Sequence, residues 1–119
     1  MAKILVVDDA MFMRNKTSRL LQENGYEVVE ASNGEEAVER YVKENPDLVL
    51  MDITMPILDG IESLKQMKEH DPEARVVMVT ALGQKSMVLE ALKAGARDFI
   101  VKPFQSDTLL EAVRKQCEA

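Results

Sequence analysis

The chain has 119 residues, 46% of them hydrophobic, with a formal net charge of -6 and a pI near 4.8. That length suits one ordinary domain with a sizeable core and leaves no room for a second. The acidic balance argues against sequence-independent attraction to nucleic acid or to an anionic membrane, and no apolar run of about 18 residues is present to cross a bilayer.

Ile4-Leu5-Val6-Val7 reads as a buried strand, too brief for a signal peptide, and Met13, Thr17, Leu20 and Leu21 then recur at helical spacing until Asn24-Gly25. Glu27-Val28-Val29-Glu30 is apolar only in its middle, which suits a sheet edge. Ser32 and Glu35 have the spacing of a capping box for a second helix, whose buried stripe is Ala37, Val38 and Tyr41. Pro46 closes that unit, and Leu48 to Met51 form a third, wholly apolar strand that runs straight into Asp52 before Pro56 and Gly60 forbid simple continuation. Ile57, Ile61, Leu64 and Met67 predict a third helical stripe, ending before Asp71-Pro72. Val76 to Val79 is the fourth strand, stopping at Thr80-Ala81, and a helix from about Gln84 to Ala94 buries Val88, Ala91 and Leu92 before Gly95. Phe99-Ile100-Val101 is the fifth strand, ended by Lys102-Pro103. Ser106 or Asp107 caps the last helix, which turns Leu110, Val113 and Cys117 inward.

Five strands alternating with five helices predict an α/β fold, a doubly wound parallel sheet with helices on both faces. The polar-flanked second strand belongs at an edge and the apolar first, third and fourth inside, which fits the order 2-1-3-4-5. Strands 1 and 3 are then neighbours, so Asp8, Asp9 and Asp52 converge where the strand order reverses, outside the carboxyl ends of the strands. A lone aspartate at a strand end can also serve simply to cap the next turn. Three acids in a partly desolvated cleft repel one another and are relieved by protonation or by a cation. With all-oxygen donors, and with Cys117 at the chain end and His70 far off in a loop, the favoured cation is Mg²⁺ rather than a softer metal. Thr80 and Lys102 reach the same rim, where a hydroxyl and an ammonium suit a phosphoryl group.

Taken as an ordered set, Val7-Asp8-Asp9, Leu50-Met51-Asp52 with Met55-Pro56 and Asp59-Gly60, Val79-Thr80-Ala81, Ala94-Gly95-Ala96 and Lys102-Pro103-Phe104 resemble a two-component response-regulator receiver domain of the stand-alone chemotaxis kind, over essentially the whole chain. The resemblance implies a flavodoxin-like fold in a single domain over residues 1–119, with no output domain, cytoplasmic and monomeric. It implies that Asp52 accepts a phosphoryl group from the phosphohistidine of a sensor histidine kinase. Asp9 and Asp52 would ligate Mg²⁺ together with the Thr54 backbone carbonyl, Asp8 would help through water, and Thr80 and Lys102 would bind the phosphoryl oxygens. Readout would pass from Thr80 to Phe99 and to the face of helix 4, strand 5 and helix 5, where a flagellar motor switch protein or another target binds. Many chemotaxis receivers carry tyrosine at that position, so Phe99 retains the ring without the hydroxyl. Thr54 and Leu82, two residues beyond the acceptor and the threonine, would tune dephosphorylation, alone or with a phosphatase. Exposed Met11 and Phe12 beside the acids would dock the phosphodonor, whereas Met13 reads as gap filler.

On this resemblance the chain is a phosphoacceptor rather than an enzyme, with a role as a phosphorelay intermediate as the alternative to a motor signal. A phosphatase of the haloacid-dehalogenase kind also uses an aspartate nucleophile, but Asp52-Ile53-Thr54 lacks the second acid expected two residues later. A flavin module of this architecture should have a first loop rich in Ser, Thr and Gly, where this chain has Asp8-Asp9-Ala10-Met11.

Overall fold

The computed structural model describes residues 2–81 and 84–118. The elements alternate in the order β1 (Lys3–Val7), α1 (Met11–Glu23), β2 (Glu27–Ala31), α2 (Gly34–Glu44), β3 (Leu48–Asp52), α3 (Gly60–His70), β4 (Val76–Ala81), α4 (Lys85–Lys93), β5 (Asp98–Lys102) and α5 (Ser106–Glu118). All strand pairs are parallel, in the order β2-β1-β3-β4-β5, as the polarity of the strands predicts. β2 lies at one edge, and the apolar β1, β3 and β4 fill the interior.

Residues alternate between two buried layers, because successive strand side chains leave opposite faces. Leu5, Val7, Val49, Met51, Val76 and Met78 pack against Ala37 and Tyr41 of α2, Ile61, Leu64 and Met67 of α3, and Val88 and Ala91 of α4. Ile4, Val6, Leu48, Leu50, Val77 and Ile100 pack against Leu21 of α1 and Leu109 and Val113 of α5. The predicted stops at Gly25 and Gly95 adopt φ of 89° and 111°, a region open to glycine and costly for residues with a Cβ.

Several local expectations are corrected. The start of α2 is capped not by a Ser32–Glu35 box but one residue later: Asn33 accepts from the Glu36 N–H, and Glu36 reaches back to the Ser32 N–H. Ile57 is not part of the α3 stripe. Asp59 caps α3 by accepting from the Glu62 N–H, which leaves Ile57 in the preceding loop, 74% exposed at a φ of 71°. Leu92 faces solvent on the outer side of α4, and in α5 Leu109 joins the expected Val113 as a fully buried residue, with Leu110 and Cys117 only half-buried at their flank. Ser106 is already the first residue of α5, and the Gln105 carbonyl accepts from the Thr108 and Leu109 N–H groups. His70 ends α3 rather than lying in a loop.

Candidate functional site at the strand ends

The register of the sheet builds the site. Val7 of β1 is level with Met51 of β3, and the next residue on each strand is an acid, so Asp8 and Asp52 emerge side by side. Both continue the alternation of Val6 and Leu50, toward the α1 and α5 layer. Asp9 follows in the loop, and one carboxylate oxygen from each of Asp8, Asp9 and Asp52 lies within 4.8 Å of the others.

Asp8 is fixed on several sides. Its Oδ1 accepts from the Ala10 N–H at 2.9 Å, its own N–H donates to the Ala31 carbonyl at 3.2 Å, and its carbonyl accepts from Arg14 Nη1 at 2.7 Å. Arg14 is held in turn by Glu30, 2.9 Å from Nε, which ties the first turn of α1 to β2. Asp52 is fixed through its own backbone. A Cβ on Gly60 would lie 2.2 Å from the Asp52 carbonyl oxygen, so only glycine lets α3 begin this close to the end of β3.

Lys102 pairs with Ala81, whereas Asp52 pairs with Val79, so the lysine starts two residues beyond the level of Asp52 and two strands away. Its long side chain reaches back, and Nζ donates to Asp8 Oδ2 at 3.1 Å and to Asp52 Oδ2 at 3.3 Å. The peptide bond that follows it, Lys102–Pro103, is cis.

The charges do not cancel. Burial pushes the Asp52 carboxyl above the usual aspartate range, and the Asp8 and Asp9 carboxylates add to the push, while the Lys102 ammonium opposes it and loses. Burial works against the Lys102 ammonium too, but the Asp52 and Asp8 carboxylates more than offset it and hold the lysine above its ordinary value. The cluster retains more negative charge than one lysine can satisfy. Three hard oxygen donors at this spacing, with neither sulfur nor imidazole among them, suit a small divalent cation that keeps some of its waters.

The remaining rim residues divide. Thr80 is buried at 1% exposure and shares the strand parity of Met78, toward the α4 layer; its hydroxyl donates to Gln84 Oε1 at 2.7 Å. Gln84 Nε2 donates to Thr54 Oγ1 at 2.7 Å, so the two threonines are joined through one amide. Phe99 is not core: it is 41% exposed, beside a shallow apolar pocket of about 210 Å³ whose walls include Thr80, Gln84, Val88 and Val101. Met11 and Phe12 are exposed, Phe12 at 77%, and Phe12 lines a groove of about 440 Å³ running along α1 to Ser106. Leu82 lies outside the described residues. Arg14 and Gln84 are the two residues of the rim that sequence reasoning missed. The only local signal was an arginine six residues after Asp8 and an amide four residues after Thr80.

Comparison with known proteins agrees with this geometry. The family model for the response regulator receiver domain matches residues 4–114. The chain is 58% identical to a chemotaxis protein CheY from Bacillus subtilis over 114 residues, covering 95% of each chain. Among solved structures, a response regulator receiver domain protein from Clostridium thermocellum superposes with a TM-score of 0.94 at 30% identity, covering 99% of this chain and 95% of that one. The CheX–CheY–BeF3–Mg complex from Borrelia burgdorferi matches with a TM-score of 0.90 at 38% identity, over 96% of this chain and 87% of that one.

Proposed function

The chain belongs to the response regulator receiver domain family, closely related to the chemotaxis response regulators, and on that premise we propose that it signals by carrying a phosphoryl group on Asp52. The observation that carries this reading is the convergence of three carboxylates and one ammonium from β1, β3 and β5 on one crevice. Receiver domains bind Mg²⁺ in an acidic pocket, and Asp9 and Asp52 would hold it here with the Thr54 carbonyl, Asp8 acting through water. When bound, the ion supplies charge neutralisation for the phosphoryl oxygens and the acids.

An Asp52 carboxylate oxygen attacks the phosphorus of a phosphohistidine on a sensor histidine kinase of the CheA kind. The P–N bond breaks, its electron pair stays on the imidazole, and an acyl phosphate forms on Asp52. Lys102, already within reach of the attacking carboxylate, exchanges a carboxylate contact for a phosphoryl oxygen as charge develops there. Thr80 donates its hydroxyl to a second oxygen. Hydrolysis by water later cleaves the P–O bond to Asp52 and regenerates the carboxylate, with access tuned at Thr54 and Leu82 and, where present, by a phosphatase. Phe12 and Met11 form the docking surface for the donor. Movement of Thr80 is relayed to Phe99 by packing, since the ring has no hydroxyl, and remodels the α4–β5–α5 face for a flagellar motor switch protein.

Intact-mass measurement after incubation with acetyl phosphate and Mg²⁺ tests the acceptor. The expected result is one labile phosphoryl adduct that requires Mg²⁺ and is absent from Asp52→Asn. An adduct that persists in the variant overturns the assignment.

A further inference from the structure

We propose that Gln84 is a positioning residue for phosphoryl transfer, whose side-chain amide holds the Thr80 hydroxyl toward α4 and must release it before Thr80 can bind the phosphoryl group. The inference rests on the reading of Asp52 as phosphoacceptor. Gln84 stands at the N-cap position of α4, yet its side chain makes no cap for that helix. It turns instead to the strand ends. Oε1 accepts from Thr80 Oγ1 at 2.7 Å and from the Ala81 N–H at 2.8 Å. Nε2 donates to Thr54 Oγ1 at 2.7 Å and lies 3.7 Å from Met87 Sδ.

A threonine hydroxyl has one proton to donate. Here that proton is already directed to Gln84, with the Ala81 carbonyl a longer alternative at 3.2 Å. Thr80 is buried, so bulk water does not compete for it. A phosphoryl oxygen on Asp52 therefore competes directly with Gln84 for the same hydrogen. Strand parity points the same way: Thr80 follows Met78 toward the α4 layer, whereas Asp52 follows Leu50 toward the opposite one. Binding the phosphoryl group requires Thr80 to leave the partner that now fixes its rotamer.

The second arm makes the latch local to the site. Thr54 is two residues beyond Asp52, so the amide couples the loop after the acceptor to the end of β4. While both arms are closed the two loops are held at one spacing. Release of Thr80 opens one arm and leaves Thr54 to follow or to stay. Gln84 thus opposes the phosphorylated arrangement by roughly one neutral hydrogen bond, which corresponds to about a fivefold bias.

The test is the rate of adduct formation with acetyl phosphate and Mg²⁺, read by intact mass, together with the affinity for beryllofluoride and for Mg²⁺ alone. Gln84→Ala, and Gln84→Met, which keeps the bulk without the amide, should each form the adduct about fivefold faster and bind beryllofluoride correspondingly more tightly, with Mg²⁺ affinity unchanged. A role in scaffolding alone would slow the reaction. In a Thr80→Ala background the Gln84→Ala gain should vanish, because the competing hydroxyl is gone. Rates unchanged or lowered in both Gln84 variants overturn the proposal, as does an equal gain with Thr80→Ala, which would mean that Gln84 merely blocks access. A wild-type adduct without any gain in the Gln84 variants sinks the latch and leaves the acceptor standing, whereas no adduct in the wild type sinks both.

Discussion

Gly34→Ala offers the sharpest test of how the loop after Asp52 is held. Gly34 opens α2, and a Cβ built on it would lie 2.0 Å from the carbonyl oxygen of Leu58 and 2.8 Å from its carbonyl carbon, both backbone atoms. Ordinary contact begins near 3.4 Å, so the two segments must part by at least 1.4 Å. The start of α2 is also tied to α3, which follows directly on Leu58 and Asp59: the Ser63 hydroxyl, fully buried, donates to the Gly34 carbonyl at 2.9 Å. Overpacking of this kind costs about 1–3 kcal/mol, and stranding the Ser63 hydroxyl adds about 1–3 kcal/mol. Alanine's better helix propensity returns at most about 1 kcal/mol. The net expectation is a loss of about 3 kcal/mol. Urea unfolding checks it: at a slope near about 2 kcal/mol/M the midpoint falls by roughly 1.5 M, with the slope itself unchanged. If the strain is relieved by parting these segments, Ser63→Ala should cost little once Gly34→Ala is present. A midpoint shift under about 0.5 M, or a full Ser63→Ala penalty in the double variant, would refute the reasoning.

Ile57→Gly should stabilise the protein by about 0.5–1 kcal/mol, because a β-branched residue at a φ of 71° is strained and its exposed side chain gives little in return; a lower urea midpoint would contradict this. In the metal-free protein the Asp52 carboxyl should titrate above an ordinary aspartate, followed by carbon-13 NMR, and Lys102→Met should raise it further by removing the opposing ammonium. The raised folded value means that the corresponding stability is full below the unfolded pKa and is lost as pH rises through the folded one; a midpoint at or below that of an ordinary aspartate would be the contrary result. At Asp71 the sign reverses. The Tyr41 hydroxyl, 2.8 Å away, and the Glu73 N–H hold its carboxyl below the usual range, so this stability is present above the unfolded pKa and is lost as pH falls through the folded one. The stability gap between wild type and Tyr41→Phe should therefore narrow on acidification, and a gap independent of pH would exclude the mechanism.

The architecture was legible because each strand announced its environment. β3 is apolar at every position up to Asp52, as a strand covered on both faces must be, and β2 carries Glu27 and Glu30 on either side of Val28 and Val29, as an edge permits. The acids were legible for a related reason, since a carboxylate directly after a buried strand has few inexpensive places to go. What escaped was helix phase and long-range polar contact. Ile57, Ile61 and Leu64 fall in helical register by coincidence, while the cap at Asp59 decides where α3 starts. A similar slip of one residue separates Leu110 from the buried Leu109. Gln84 could not be found from spacing alone, because its partners Thr54 and Thr80 meet only when two separate loops settle at one distance.

The pairing of Asp8 with Lys102 spans 94 residues of chain, and Asp52 with Lys102 spans 50. During synthesis Asp8 and Asp52 therefore emerge well before the cation that both contact. Only when β5 has docked at its edge of the sheet does the lysine arrive. The crevice is thus completed by nearly the last strand-end residue of the chain: one halted short of β5 lacks Lys102, and Asp8 and Asp52 are left facing each other without the ammonium that both contact.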